Sequence, residues 1–444
     1  MSRLRLMAVL VLVVVLVTLL PVLQALRSHR GVSAAMDAYR YRFERAERGS
    51  VRRGLEREIA FHQERLRRDP NSGLELAALG RAYLKMARAT GDLSWYLLAE
   101  QAAQRSLASL PFHNNGAVLV LARVAEARHD FVSAIGLAAR AAGEEDALSI
   151  FVSANLARGR ADEAARAADL LVQRSPSLVA VTLRALVETA QGDDDAALRD
   201  FHDAIAIEEP GEAGSSAWAR TMLGRFHAKR GRLTLARDLY QEALEILPQY
   251  PLALVHLAEL EARVGQYAAA TSRYAEVVDV SSASPNVYDH VVLRGLGRLK
   301  ALQADDAGAA TLWARAEARL RRDAAEGAFG HRRELARLLL DRGRPRDLPE
   351  ALGLIRAETR LRHDPETLDT LAWAYTRADR FADAHQAMQE ALRWGIRDAG
   401  MFYRAAAIAQ ALGQQHEARR LFAAAARTDP TFDDQARRVM GMGF

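Results

Sequence analysis

A small residue, three positions, a large residue, two positions and a second small residue form a pattern that recurs along this chain and leaves little freedom in how it folds. It is clearest at Ala197, Phe201 and Ala204, at Ala236, Tyr240 and Ala243, and at Ala418, Phe422 and Ala425. Weaker copies begin at Ala134, Ala164, Ala270 and Ala384. Ala236 to Ala270 and Ala384 to Ala418 are each 34 residues apart, as are Pro176 and Pro210. Within one period, TMLGRFHAKRGRLTLARDLYQEALEILP at residues 221–248 reads as two amphipathic helices. Met222, Leu223, Phe226 and His227 recur at helical spacing, Gly231 interrupts, and Leu235, Leu239, Ala243, Leu244 and Leu247 resume the stripe before Pro248 stops it. Gly224 and Ala236 supply the minimal side chains that let the two helices approach. One such hairpin cannot bury its apolar face alone, so successive copies must stack.

The sequence resembles the tetratricopeptide repeat family, whose unit is a 34-residue helix pair with a Leu-Gly-x2-Tyr core in its first helix. Leu79-Gly80-Arg81-Ala82-Tyr83 matches that core, Leu223-Gly224 with His227 nearly so, and Leu371-Ala372-Trp373-Ala374-Tyr375 carries Ala for Gly. The resemblance implies an all-α, right-handed α-solenoid of about ten such helix pairs over residues 73–430, with degenerate units near 146–176 and 287–322. A capping helix and tail follow at 431–444, with Phe432, Ala436, Val439 and Met440 on its apolar face and a frayed end from Gly441.

The N-terminus departs from this pattern. After the short basic stretch 1–5, Leu6 to Leu26 runs 21 residues without a charge. At about 1.5 Å per residue this reaches roughly 31 Å, enough for a bilayer core of about 30 Å. The span predicts a transmembrane helix or signal anchor at 6–26, preceding the solenoid and giving a single-pass protein of a bacterial inner membrane. Topology is open: Arg3 and Arg5 favour a cytoplasmic N-terminus, whereas Arg27, Arg30, Arg40, Arg42 and Arg45 favour the reverse. A short basic leader before an apolar run has the form of an export signal, so the repeats are expected outside the cytoplasm, with the cytoplasmic face as the alternative. Residues 27–72 form an Arg-rich helical juxtamembrane segment. Its basic groups either meet anionic headgroups or lace a solvated helix through pairs such as Glu44 with Arg48.

Charge and composition exclude several functions. Subtracting Arg3, Arg5 and the +6 of residues 27–68 from the net +5 leaves about −3 for the repeats, which is no basic nucleic-acid surface. With no cysteine there is no disulfide, thiolate metal site or cysteine nucleophile. The 12 histidines are scattered, without a His-Glu-x2-His or a His pair at i,i+4. Asp193-Asp194-Asp195 and Asp305-Asp306 fall in turns where Asp caps a helix. No enzyme activity, cofactor or metal is expected.

Function is therefore expected on the concave face, which the resemblance assigns to the first helix of each unit. The family register places Arg81, Lys85, Arg123, Trp218, Arg225, Lys229, Glu259, Arg263, Trp373, Arg377 and Tyr403 in that groove. Arginines there can fork onto carboxylates and aromatics can anchor an extended or helical peptide. The expected role is a membrane-anchored scaffold that binds protein or peptide partners and organises a complex at the membrane, held there by residues 6–26. The alternative is a periplasmic accessory factor for envelope polymer synthesis or export.

Overall fold

The computed structural model describes residues 36–45, 47–280, 286–325 and 331–442. The chain divides into Met1–Arg42 and Phe43–Phe444. Of the first unit the described part is one turn, in which Arg40 lies 3.4 Å from Asp37.

The second unit is all-α, with no strand among the described residues. A leading helix, α1 (Ser50–Arg68), precedes ten helix pairs: α2 (Gly73–Thr90) with α3 (Leu93–Ser109), α4 (Asn115–Ala127) with α5 (Phe131–Ala139), α6 (Glu145–Ala157) with α7 (Ala161–Arg174), α8 (Leu178–Gln191) with α9 (Asp194–Ala206), and α10 (Ala213–Ala228) with α11 (Leu233–Ile246). There follow α12 (Pro251–Arg263) with α13 (Tyr267–Val280), α14 (Asp289–Leu302) with α15 (Asp306–Ala325), α16 (Arg332–Arg342) with α17 (Leu348–Glu358), α18 (Pro365–Arg377) with α19 (Phe381–Leu392), and α20 (Ala399–Ala411) with α21 (Gln415–Thr428). The short α22 (Asp434–Val439) closes the chain. The stretches around 146–176 and 287–322, degenerate in sequence, fold as ordinary pairs because their apolar spacing survives the loss of the signature. Asp193 accepts the amide of Ala196 at 3.0 Å and Asp305 that of Gly308 at 2.9 Å, so both acidic runs cap helices.

Each pair closes by knob and hole. The signature residues Ala197, Phe201, Ala204, Ala236, Tyr240 and Ala243 are all buried. The close approach at Gly224 is to the Tyr240 ring rather than to Ala236: a Cβ on Gly224 would stand 2.5 Å from Tyr240 Cε1. Gly295 makes the same hole for Tyr274.

His227 stands where the family core has Tyr. It is 2% exposed, and neither ring nitrogen has a hydrogen-bond partner. Burial, with Arg232 and Arg230 beside it, pushes its pKa down to about 3. A histidine that titrates near 6.5 when unfolded and lower when folded gives its full stability above pH 6.5 and loses it as pH falls towards 3. His227→Leu, which removes that unpartnered ring, is expected to melt at least as high as wild type at pH 7. It should also lose less Tm between pH 6.5 and 4; an unchanged acid slope would sink this assignment.

The solenoid curls until it meets itself. The turn between the two helices of one pair touches the start of the pair six units later at four successive places, and the fifth turn touches the segment leading into α22. Val287 donates its amide to Gly91 O at 2.8 Å, and Asn286 Nδ2 donates to Thr90 O at 2.9 Å. The rings of His129 and His331 meet edge-on, 5.4 Å apart. His363 donates its amide to Ala157 O at 2.8 Å. The backbones of Gly192 and Gly395 cross in contact, and Arg397 reaches Asp194 at 3.4 Å. Asp429 fills the space beside Gly231 and accepts from Arg263 at 2.5 Å. Gly192 and Gly395 both have positive φ, 80° and 87°, and no Cβ would fit between them.

The C-terminus is not frayed at Gly441. Met442 is buried, and its amide donates to Arg437 O at 2.8 Å. Helix α22 does more than cap the last pair: Val439 packs on the apolar cluster of α12 and α14, and Arg298 donates to Val439 O at 2.5 Å.

The expected location in a bacterial inner membrane is corrected. Among the described residues no helix is long and apolar enough to cross a membrane. The span expected at 6–26 lies outside the described residues.

Candidate functional site

The first helices of the last six pairs, together with α22, turn their inward faces towards one cavity of about 360 Å³. Seven cations line it (Arg225, Lys229, Arg263, Arg294, Arg298, Arg337 and Arg404), as do five carboxylates: Glu259, Glu366, Asp369, Asp398 and Asp429. Their positions follow from the coil: helices of pairs five to ten converge because the chain bends around them.

Most of these charges are matched. Arg404 donates to Asp369 at 2.8 Å and Arg263 to Asp429 at 2.5 Å. Lys229 stands 3.1 Å from Asp398 and 3.4 Å from Glu366, which Arg225 also approaches at 3.7 Å. Arg298 holds Asp341 behind the wall, and His256 lies 3.0 Å from Glu259. Asp398 also caps α20 by accepting the amide of Met401 at 3.0 Å.

The acidic groups show the balance of burial against charge. Burial raises Glu366, but Lys229, Arg225 and Arg333 outweigh it and hold the carboxyl well below the usual range. Burial likewise raises Glu259, and the His256 hydrogen bond with Arg294 and Arg225 brings it down to about 2. Arg337 is the exception among the cations. It makes no hydrogen bond or ion pair with a described residue, and burial next to Arg294 and Arg333 lowers its pKa to about 10. The charged groups of the wall are largely paired with one another, and among the described residues no group of three or more His, Cys, Asp or Glu could hold a metal ion.

Of the residues expected in the groove, Arg225, Lys229, Glu259 and Arg263 line this cavity. Arg81 is exposed on α2, and Lys85 pairs with Glu58 of α1 at 2.7 Å. Arg123 bonds to Glu126 at 2.9 Å. Trp218 packs on the apolar cluster of α6 to α8, and Trp373 is buried among the side chains of α16 and α17 under the Arg404 guanidinium. Arg377 reaches Gly343 O on the outer turn at 3.4 Å. Tyr403 sits between Phe422 and Phe432. Sequence reasoning missed Arg294, Arg298 and Arg337, which belong to pairs without a clear signature, and Met442 in the end expected to fray; Met440, expected on the capping helix, lines the cavity too.

Residues 178–249 match the tetratricopeptide repeat family. No curated protein matches the chain. Among solved structures it is similar to a chain of the APC/C hetero-tetramer Cut9-Hcn1, with 13% identity, 88% of this chain and 93% of that chain covered, and a TM-score of 0.39. It is also similar to MamA, with 15% identity, 39% of this chain and 96% of that chain covered, and a TM-score of 0.31. At these scores neither likeness bears on function.

Proposed function

We propose that this tetratricopeptide-repeat protein is a partner-binding scaffold that recognises a protein or peptide on the inward wall of its coil. The observation that carries this reading is the convergence of charged side chains from six helix pairs on one interior cavity, with their acids and bases matched to one another rather than arranged for proton transfer. A wall of this kind selects a partner by charge pattern, with arginines offering bidentate sites for carboxylates.

The test places a photo-crosslinking amino acid at Arg81 or Arg225, on first helices, and at Arg166 or Arg420, which are exposed on second helices. Crosslinking in the cells of origin is expected to give discrete adducts from the first two positions only. Adducts from Arg166 or Arg420 alone would overturn the inner-wall reading and move recognition to the outside of the coil.

A further inference from the structure

The matched pairs around the cavity leave its charge uneven. Arg337 makes no hydrogen bond or ion pair with a described residue, and Asp341 and Asp369 attract it only at longer range. Arg294 beside it reaches only Asp341, at 3.9 Å, and that carboxylate is already held by Arg298. Two guanidinium groups therefore stand together at one side of a space with one shared acid behind them. Like charges so placed repel, and the depressed pKa of Arg337 reports that cost from burial and from its neighbours.

Apolar side chains line the same cavity. Met401, Met440 and Met442 are among them, brought in by α20 and the returning C-terminal segment, whose Gly441 lies against Asp341 and Arg298. Thioether side chains are polarisable and adapt to varied apolar shapes; Met401 and Met442 are buried, whereas Met440 is 40% exposed and open to an occupant. The volume of about 360 Å³ is at the lower end of the range for small-molecule sites of roughly 300–1,000 Å³. It is too small for a folded partner.

We propose that this cavity binds a small amphiphilic organic anion, its acidic head on Arg337 and Arg294 and its apolar body against the methionines. The site goes beyond the partner-binding reading but lies on the same wall, and the tests separate the two: loss of octanoate binding with Arg81 adducts retained sinks the site alone, and the reverse sinks partner binding alone. Bound there, the anion neutralises Arg337 and joins α16 to the C-terminal segment.

The experiment is isothermal titration of the full chain with octanoate, octylammonium and inorganic phosphate at one ionic strength, together with Tm in each. Octanoate is expected to bind and to raise Tm, and octylammonium and phosphate to bind at least 10-fold more weakly. Arg337→Gln is expected to weaken octanoate at least 10-fold with an unchanged far-UV circular dichroism spectrum, because Arg337 holds no other group in place. Arg166→Gln, on the outer surface, is expected to leave binding as it was. Equal affinity of wild type and Arg337→Gln would overturn the site, and so would no binding of octanoate by wild type. Phosphate binding as tightly as octanoate would overturn the amphiphile class. If Arg337→Gln is misfolded, Met440→Glu is used instead, because Met440 is 40% exposed; retained octanoate affinity in that variant would overturn the proposal.

Discussion

Glu208→Ala is expected to destabilise the protein by about 3–5 kcal/mol, the usual cost of removing one member of a buried ion pair. Arg220 of α10 and Glu208, in the turn before it, have side chains with no exposure at all. Both terminal nitrogens of the guanidinium donate to the carboxylate at 2.8 Å, and Arg220 Nη1 also donates to Ser216 O at 3.2 Å. Without Glu208 a guanidinium is left in the interior without the carboxylate that balances its charge. Arg220→Met with Glu208→Leu removes both charges together and is expected to be close to neutral, since the desolvation penalty of the pair vanishes with its attraction. Denaturant midpoints of the three proteins decide the matter. A single substitution no worse than the double would show that the pair contributes nothing.

Gly192→Val is the second large effect, and it acts on shape. A Cβ at this position meets the carbonyl of Gly395, and the positive φ of Gly192 already disfavours a branched residue. The two turns must part, and the coil is expected to open there, with a larger radius of gyration in solution scattering and faster amide exchange at both ends of the contact. Gly413→Val is the control, because its φ of 76° brings the same local strain while nothing lies within 4 Å of the added Cβ. If the two variants scatter alike, the contact does not hold the coil closed.

The helix pairs were legible because their cause is local: a small residue opposite a large one, spaced to lie on one helix face, and an Asp or Gly at each turn. Even pairs lacking the signature fold alike, since apolar periodicity and neighbouring pairs suffice. The inner wall was partly legible. Arg225, Lys229, Glu259 and Arg263 follow from register, but Trp218 and Trp373 pack against the preceding pairs, because adjoining first helices approach closely enough to take a large ring between them. The self-contact was not legible at all. It joins backbone groups of turns 195 to 206 residues apart, as from Gly91 to Asn286 or from Ala157 to His363, and a carbonyl or a glycine proton carries no sequence signal of its partner. Arg220 was equally hidden, since one arginine in an amphipathic helix reads as solvated until the turn beside it supplies Glu208.

That self-contact separates this protein from an open array of repeats, in which each unit touches only its neighbours and can fold as soon as it exists. Here the first five pairs are complete as helices well before the residues that finish their outer turns. At a synthesis rate of about 5–20 residues per second, roughly 10–40 s pass between the appearance of Gly91 and that of Asn286. During this interval the turns of the early pairs keep open backbone groups, and the inward wall is reachable from a side that the finished coil covers.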